Sequence, residues 1–120
     1  MPTHVMINGS KGRMGQAIAA AAPELGVAIS SAIDVGDDPA AHIDRCDVVI
    51  DFSFHRATKA LLEIAVARRK PIVIGTTGHS AEERAQLLAL AAKVPCVWAG
   101  NFSVGVNLLF ALTRRAASVL

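Results

Sequence analysis

The sequence predicts an α/β fold, a doubly wound parallel sheet of about five strands with helices on both faces. Three observations carry this. Short apolar runs and helical windows alternate along the whole chain. The apolar runs are continuous rather than alternating, as strands buried on both faces require. The first run passes through three glycines directly into a helix, an order that is Rossmann-like.

Each element has its own signal. A strand is expected over 4–8 ("HVMIN"), then the glycine turn, then a helix over 13–22 that Pro23 to Gly26 stops. A second strand runs over 27–34 ("VAISSAID") and a third over 47–53 ("DVVIDFS"). Between them "VGDDPAAHIDRC" holds at most a short helical turn, with Pro39 at its start. A helix over 56–69 leads to a strand over 72–76 ("IVIGT") and a helix over 81–93, where Ser80 and Glu83 form a capping-box pattern. A strand over 96–99 ("CVWA") and a helix from 104 to the end complete the series. That helix carries no Gly, Pro or cap at its close, so the 120 residues are expected to be a piece of a longer chain.

Composition narrows the function classes. A chain of 120 residues suits a single domain, and with 52% apolar and 18% charged residues it is folded material. Aromatics are 4% with no Tyr, so a base-stacking platform is not expected. The net charge of +2 is scattered, which asks for neither nucleic acid nor membrane. Cys46 and Cys96 open apolar runs, where small buried thiols are ordinary. Without a signal-peptide pattern or an apolar run near the roughly 18 residues of a membrane span, a soluble, cytoplasmic setting is expected.

The chemistry gathers at the ends of the strands. Gly9, Gly12 and Gly15 are spaced G-x-x-G-x-x-G, one residue longer than the common G-x-G-x-x-G. Glycine there lets a pyrophosphate approach the free N–H groups of a helix N-terminus. Gly15 has an ordinary alternative, close packing of helix on strand, and Gly12 has none as good. Asp34 closes the second strand about 20 residues on, where a carboxylate can accept the ribose hydroxyls of an adenosine. Further polar groups follow at the next strand ends in "DFSFH" (51–55), "GTTG" (75–78) and "GNFSVGVN" (100–107). Ligands of open parallel sheets bind beyond those ends, so all four loops can face one crevice. Lys11 is either an anion contact or a loop charge. His4, His42, His55 and His79 have no ligand spacing, so no metal site is expected; His55, after "DFSF", is the least ordinary of them.

Together "GSKGRMG", "DFS", "IVIGTTG" and "NFSVGVN" resemble the amino-terminal part of the 4-hydroxy-tetrahydrodipicolinate reductase family, the dihydrodipicolinate reductases of lysine biosynthesis. The resemblance extends from the first strand to the last helix. It implies NAD(P)H-dependent reduction of 4-hydroxy-tetrahydrodipicolinate on the diaminopimelate route, with this chain as the dinucleotide-binding domain. Gly9, Gly12 and Gly15 would form the phosphate turn, with Gly12, Arg13 and Met14 in contact with the phosphates and Asp34 on the adenosine ribose. Phe52 and Ser53 would line the crevice, and Gly75 and Thr77 would meet the nicotinamide end, with Thr76 in the same set. Gly100, Asn101 and Phe102 would border the face of hydride transfer.

In the family a second domain follows the "NFSVGVN" helix and carries a His-His and Lys motif for proton donation and carboxylate binding. That motif is not in this sequence, so no catalytic residue is assigned and the fragment alone is expected to be inactive. The partners implied are the dinucleotide and a heterocyclic dicarboxylate, and full-length members are homotetramers. The sequence departs from the pattern at Asn8, where a small residue usually precedes the first glycine, and in the short stretch between the second and third strands. NADH is expected over NADPH, because Asp34 is followed by Val35 and Gly36 and not by an arginine that could hold a 2′-phosphate. The alternative is a stand-alone nucleotide- or CoA-binding module without catalysis.

Overall fold

The structure is a computed structural model that describes residues 1–120. Five strands, β1 (Thr3–Asn8), β2 (Val27–Ile33), β3 (Val48–Asp51), β4 (Ile72–Ile74) and β5 (Cys96–Trp98), form one parallel sheet in the order β2-β1-β3-β4-β5. The chain leaves β1 toward one edge and comes back to its other side, so the strand order reverses between β1 and β3. In open α/β sheets that reversal is where the loops part and a ligand-sized crevice opens.

Helix α2 (Thr58–Ala67) packs beside α3 (Ala81–Ala91) on one face of the sheet. Met6, Val49, Ile72 and Ile74 point to that face and meet Leu61, Leu62, Ala65, Leu87 and Ala91 in a buried cluster. Burying such a Leu or Ile side chain contributes about 2 kcal/mol, and a period of two puts the next residues, Val5 and Ile7, on the opposite face. Helix α1 (Arg13–Ala21) covers that second face near β1. Its cover thins toward β5, where Val97 is 56% exposed. The expected α/β class, strand count and two-faced layering are what the structure has.

The bounds differ in an informative way. Strands expected to run to 34, 53 and 76 stop at Ile33, Asp51 and Ile74, because the residues beyond them leave the ladder and give their polar groups to one another. The segment over 39–45 folds as two short 3-10 turns, Pro39–Ala41 and Ile43–Arg45, and Ile43 is fully buried. The helix expected from 56 opens with a 3-10 turn, His55–Ala57. Helix α4 (Val104–Val119) forms as expected but has no buried residue, and Leu108, Leu109, Phe110 and Leu112 are exposed along it. It stands away from the sheet, which gives a radius of gyration of 15.5 Å where a compact chain of this length has ~14 Å.

Candidate functional site

The turn after β1 is fastened to the end of β2. The N–H groups of Gly9 and Ser10 both donate to the Ile33 carbonyl at 3.0 Å, and Lys11 N–H donates to Asp34 Oδ2 at 2.8 Å. The three glycines then separate by cause. Gly9 has φ +84°, and a Cβ there would overlap the Phe52 carbonyl. A Cβ on Gly15 would overlap the Gly9 carbonyl, so this glycine is the close contact of helix on turn. Gly12 needs no such explanation: its φ is −73°, and an added Cβ would meet only the Gly9 oxygen, at an ordinary 3.4 Å. Nothing within the protein demands glycine at that position.

Gly12 is also the N-cap of α1, so it contributes no capping side chain, and no acidic residue follows in the first turn. The first N–H groups of any α-helix have no intrahelical partner and carry the positive end of its dipole. At α1 no side chain caps them, and the helix opens on Arg13. This end of the helix is therefore suited to an anion.

On one side of the turn lies a hollow of about 420 Å³ whose lining includes Asn8, Asp34, Asp37, Asp38, Ser53, Phe54 and Ile64. Asp34 is held in place there: Oδ1 accepts from Val35 N–H at 2.7 Å and Oδ2 from Lys11 N–H. Those two backbone N–H groups hold its carboxyl below the usual carboxylate value. Each oxygen keeps a second lone pair for a hydroxyl donor. Asp37 folds back so that Oδ2 accepts from Asp34 N–H at 2.9 Å. No lysine or arginine lines this hollow.

On the other side, a hollow of about 290 Å³ is lined by Gly12, Arg13, Met14, Phe52, Ser53, Gly75, Thr76 and Thr77. It shares Met14, Phe52 and Gly75 with a further hollow of about 430 Å³ bordered by Gly100, Asn101, Phe102 and Ser103. Shared lining residues make the three hollows one crevice across the C-terminal ends of the strands. Phe52 meets Phe102 edge-to-face at 5.7 Å, and a Cβ on Gly75 would overlap the Phe52 ring. The last loop is stiffened by its own side chains: Asn101 Oδ1 accepts from Ser103 N–H at 2.7 Å, and Asn107 Nδ2 donates to the Asn101 and Ser103 carbonyls.

Beneath the crevice is a buried carboxylate. Asp51 is 0% exposed. Its Oδ1 accepts from Ser53 Oγ at 2.5 Å and from Asn8 Nδ2 at 3.0 Å, while Oδ2 accepts from Thr76 Oγ1 at 2.8 Å. Thr76 Oγ1 in turn accepts from Ser53 N–H at 2.9 Å. Burial pushes the Asp51 carboxyl up, against the pull of these donors and of nearby His79.

Every residue expected at the site lines the crevice except Gly9 and Gly15, which lie behind it in packing contacts. His55 does not face it. Its ring lies in a separate groove between α2 and α3, with Nδ1 3.7 Å from Glu83 Oε2. Sequence reading gave no role in the site to Asn8 and Phe54, which line the crevice, to Asp51 beneath it, or to His79, whose Nε2 is 2.7 Å from Thr58 Oγ1 and whose ring meets Trp98 edge-on. The available signal for Asp51 was a carboxylate closing an otherwise apolar strand.

Comparison with known proteins agrees with this geometry. The family model described as dihydrodipicolinate reductase, N-terminus, matches residues 3–102. A 4-hydroxy-tetrahydrodipicolinate reductase of Akkermansia muciniphila is 48% identical over 117 residues, covering 97% of this chain and 48% of the relative. One from Magnetococcus marinus is 44% identical over 119 residues, covering 99% of this chain and 40% of its own. The chain thus spans about half the length of the curated relatives it matches. Among solved structures, a dipicolinate-bound dihydrodipicolinate reductase from Paenisporosarcina superposes with a TM-score of 0.78 at 22% identity, over 98% of this chain and 54% of that one. An aspartate dehydrogenase from Thermotoga maritima shares the fold at a TM-score of 0.57 and 15% identity, over 82% of this chain and 45% of that one. With a family model matched across five strands and the loops that end them, the chain belongs to the dihydrodipicolinate reductase family.

Proposed function

We propose that this chain is the dinucleotide-binding part of a 4-hydroxy-tetrahydrodipicolinate reductase, holding NADH, or less tightly NADPH, for reduction of the heterocyclic dicarboxylate on the diaminopimelate route to lysine. The observation that carries the reading is Gly12: a glycine with no packing reason, at the uncapped N-terminus of α1, facing the middle of a crevice. A pyrophosphate accounts for all three features at once, since it needs close backbone approach and free N–H donors.

The rest of the crevice fits the two ends of such a molecule. Asp34 receives the ribose hydroxyls of the adenosine in the hollow beside β2, and Gly12, Arg13 and Met14 hold the phosphates. Phe52, Ser53, Gly75, Thr76 and Thr77 frame the nicotinamide, with Gly100, Asn101 and Phe102 at the face where substrate enters. Backbone groups of the "GTTG" turn supply the donor and acceptor that a planar carboxamide needs. When bound, the dinucleotide supplies hydride; this chain binds, orients and shields it. NADH is preferred because the carboxylates of Asp34, Asp37 and Asp38 surround the place of the 2′-substituent and no guanidinium faces them.

Proton donation and the grip on substrate carboxylates fall to residues outside these 120, because no convergent His, Lys or Arg set borders Asn101 and Phe102. Titration of the protein with NADH, followed by fluorescence, and with coenzyme A as the competing ligand class, tests the reading. NADH binding competed by ADP supports it; saturable binding of coenzyme A without NADH binding replaces it by the non-catalytic module. NADH oxidation with freshly generated substrate is expected only when the second half found in the relatives is present.

A further inference from the structure

The buried carboxylate under the crevice has no part in the contacts assigned above, yet it bonds to the last residue of β1 and to the loops after β3 and β4. Parallel register sets this up, since Asn8 on β1 lies directly beside Asp51 on β3, and Asp51 beside Ile74, two residues before Thr76. Its two oxygens take three side-chain donors, from Asn8, Ser53 and Thr76. A fully buried carboxylate costs free energy unless its hydrogen bonds are made, so a fold that keeps one with every partner in place gains order in return.

What is ordered differs between the two ends of the crevice. The glycine turn does not depend on Asp51, because Gly9, Ser10 and Lys11 are tied by their own N–H groups to Ile33 and Asp34. The loop after β3 does. Ser53 is held at its hydroxyl by Asp51 and at its N–H by Thr76 Oγ1, and that threonine is aimed by Asp51 Oδ2. Phe52 and Thr77 are each the immediate neighbour of a residue in this pair of bonds, and Phe52 N–H is held besides by the Asn8 carbonyl at 3.1 Å. The far end of the "GTTG" loop is fastened separately, by His79 to Thr58.

We propose that Asp51 is a positioning residue for the nicotinamide half of the bound dinucleotide: it pins the "DFS" and "GTTG" loops to each other, so that the ring is received in one orientation. This rests on the dinucleotide reading above. It goes beyond it by dividing the crevice into an adenosine side that is rigid without Asp51 and a nicotinamide side that is not.

Asp51→Asn is the discriminating change, since it keeps shape and can still accept from Asn8 and Ser53 while it loses the acceptor for Thr76. Thr76→Val removes the same bond from the other partner. Affinities for NADH and for ADP are measured by calorimetry on the full chain, with folding of each variant checked by circular dichroism and Asp47→Asn, far from the crevice, as control. Both variants are expected to weaken NADH about tenfold, as an unmade buried hydrogen bond does, and to leave ADP within about twofold. A merely structural carboxylate would weaken both ligands alike or neither, and either result in a folded variant overturns the proposal. Should one variant fail to fold, the other decides by the same split; failure of both to fold shows a core residue and overturns it too. Wild-type protein that binds neither ligand overturns the dinucleotide reading itself, and is thereby distinct from an unsplit response in a protein that binds both.

Discussion

Two helix N-termini at the same edge of the sheet are finished in opposite ways. At α3 the Ser80 hydroxyl accepts from Glu83 N–H at 3.1 Å, and Glu82 and Glu83 oppose the dipole in the first turn. At α1 the cap is a glycine, no side chain bonds to it, and the residue that follows is Arg13. Helix stability alone favours the α3 solution, though by only about a few tenths of a kcal/mol for a serine over a glycine cap. The α1 end leaves that stabilisation unmade and places basic charge where the dipole disfavours it, which is sensible only if something anionic completes it. One terminus is closed by its own side chains, and the other is left for the dinucleotide proposed above.

The largest expected effect breaks this contrast at Gly12. A Cβ at Gly12 meets only the Gly9 oxygen and the backbone conformation is ordinary, so the fold should survive Gly12→Val, whose side chain would fill the place proposed for the pyrophosphate. NADH affinity should fall by about a hundredfold or more, equivalent to ~3 kcal/mol. Equal affinity of wild type and variant in a fluorescence titration would falsify the assignment of the turn.

Next comes the contrast between the two acids at the ends of β2 and β3, on either side of β1. Asp34 is held low by the N–H groups of Lys11 and Val35, whereas Asp51 is raised by burial. The signs follow from linkage. Asp34 contributes stability that is present above the ordinary carboxylate range and lost as pH falls through its lowered value. Asp51 contributes stability that is present below that range and lost as pH rises through its raised value. Urea unfolding of Asp51→Asn at a series of pH values should therefore show the variant gaining on wild type as pH rises from about 4 toward neutrality. A difference constant with pH contradicts the burial argument.

How much of this was legible depended on where the partners lie. The glycine turn and Asp34 are local signals, a spacing and a strand-end acid, and sequence reading singled out both, which the structure brings to one crevice. The Ser80 cap is local too, and the structure has it. Asp51 was missed because its meaning lies in Asn8 and Thr76, on other strands, and register alone brings them together. His55 was expected at a crevice wall because it follows "DFSF", but the 3-10 turn at His55–Ala57 rotates it toward α3. The helix expected from 104 forms, but a helical pattern does not show what covers it, and here Leu108 and Leu112 are exposed.

Cofactor choice is a smaller effect, on the order of tenfold in favour of NADH, or ~1.4 kcal/mol. The preference proposed above rests on the carboxylates of Asp34, Asp37 and Asp38 in one hollow and on the absence of an arginine from its lining. Asp34→Asn should narrow the NADH:NADPH ratio while weakening NADH. Calorimetry that finds NADPH the tighter ligand of wild type reverses the preference.

The smallest effect sharpens the contrast from its other side. Ser80→Ala removes one hydrogen bond at α3 and should cost about 1 kcal/mol, a fall in melting temperature of about 4 °C for a chain of this size. Because α3 packs through Leu87 and Ala91 into the main core, that loss is felt by the whole domain. Ser103→Ala removes the matching bond to Val106 N–H at α4, yet α4 buries nothing, so its first turn should fray with no change in the melting of the sheet. Ser80→Ala should not alter NADH affinity by more than about twofold, since its hydroxyl bonds to neither the glycine turn nor Asp51. Thermal unfolding and a titration on the same samples decide the matter. If Ser80→Ala weakened NADH as strongly as it destabilised α3, the two helix ends would be coupled, and the division between a terminus for the fold and a terminus for the ligand would not hold.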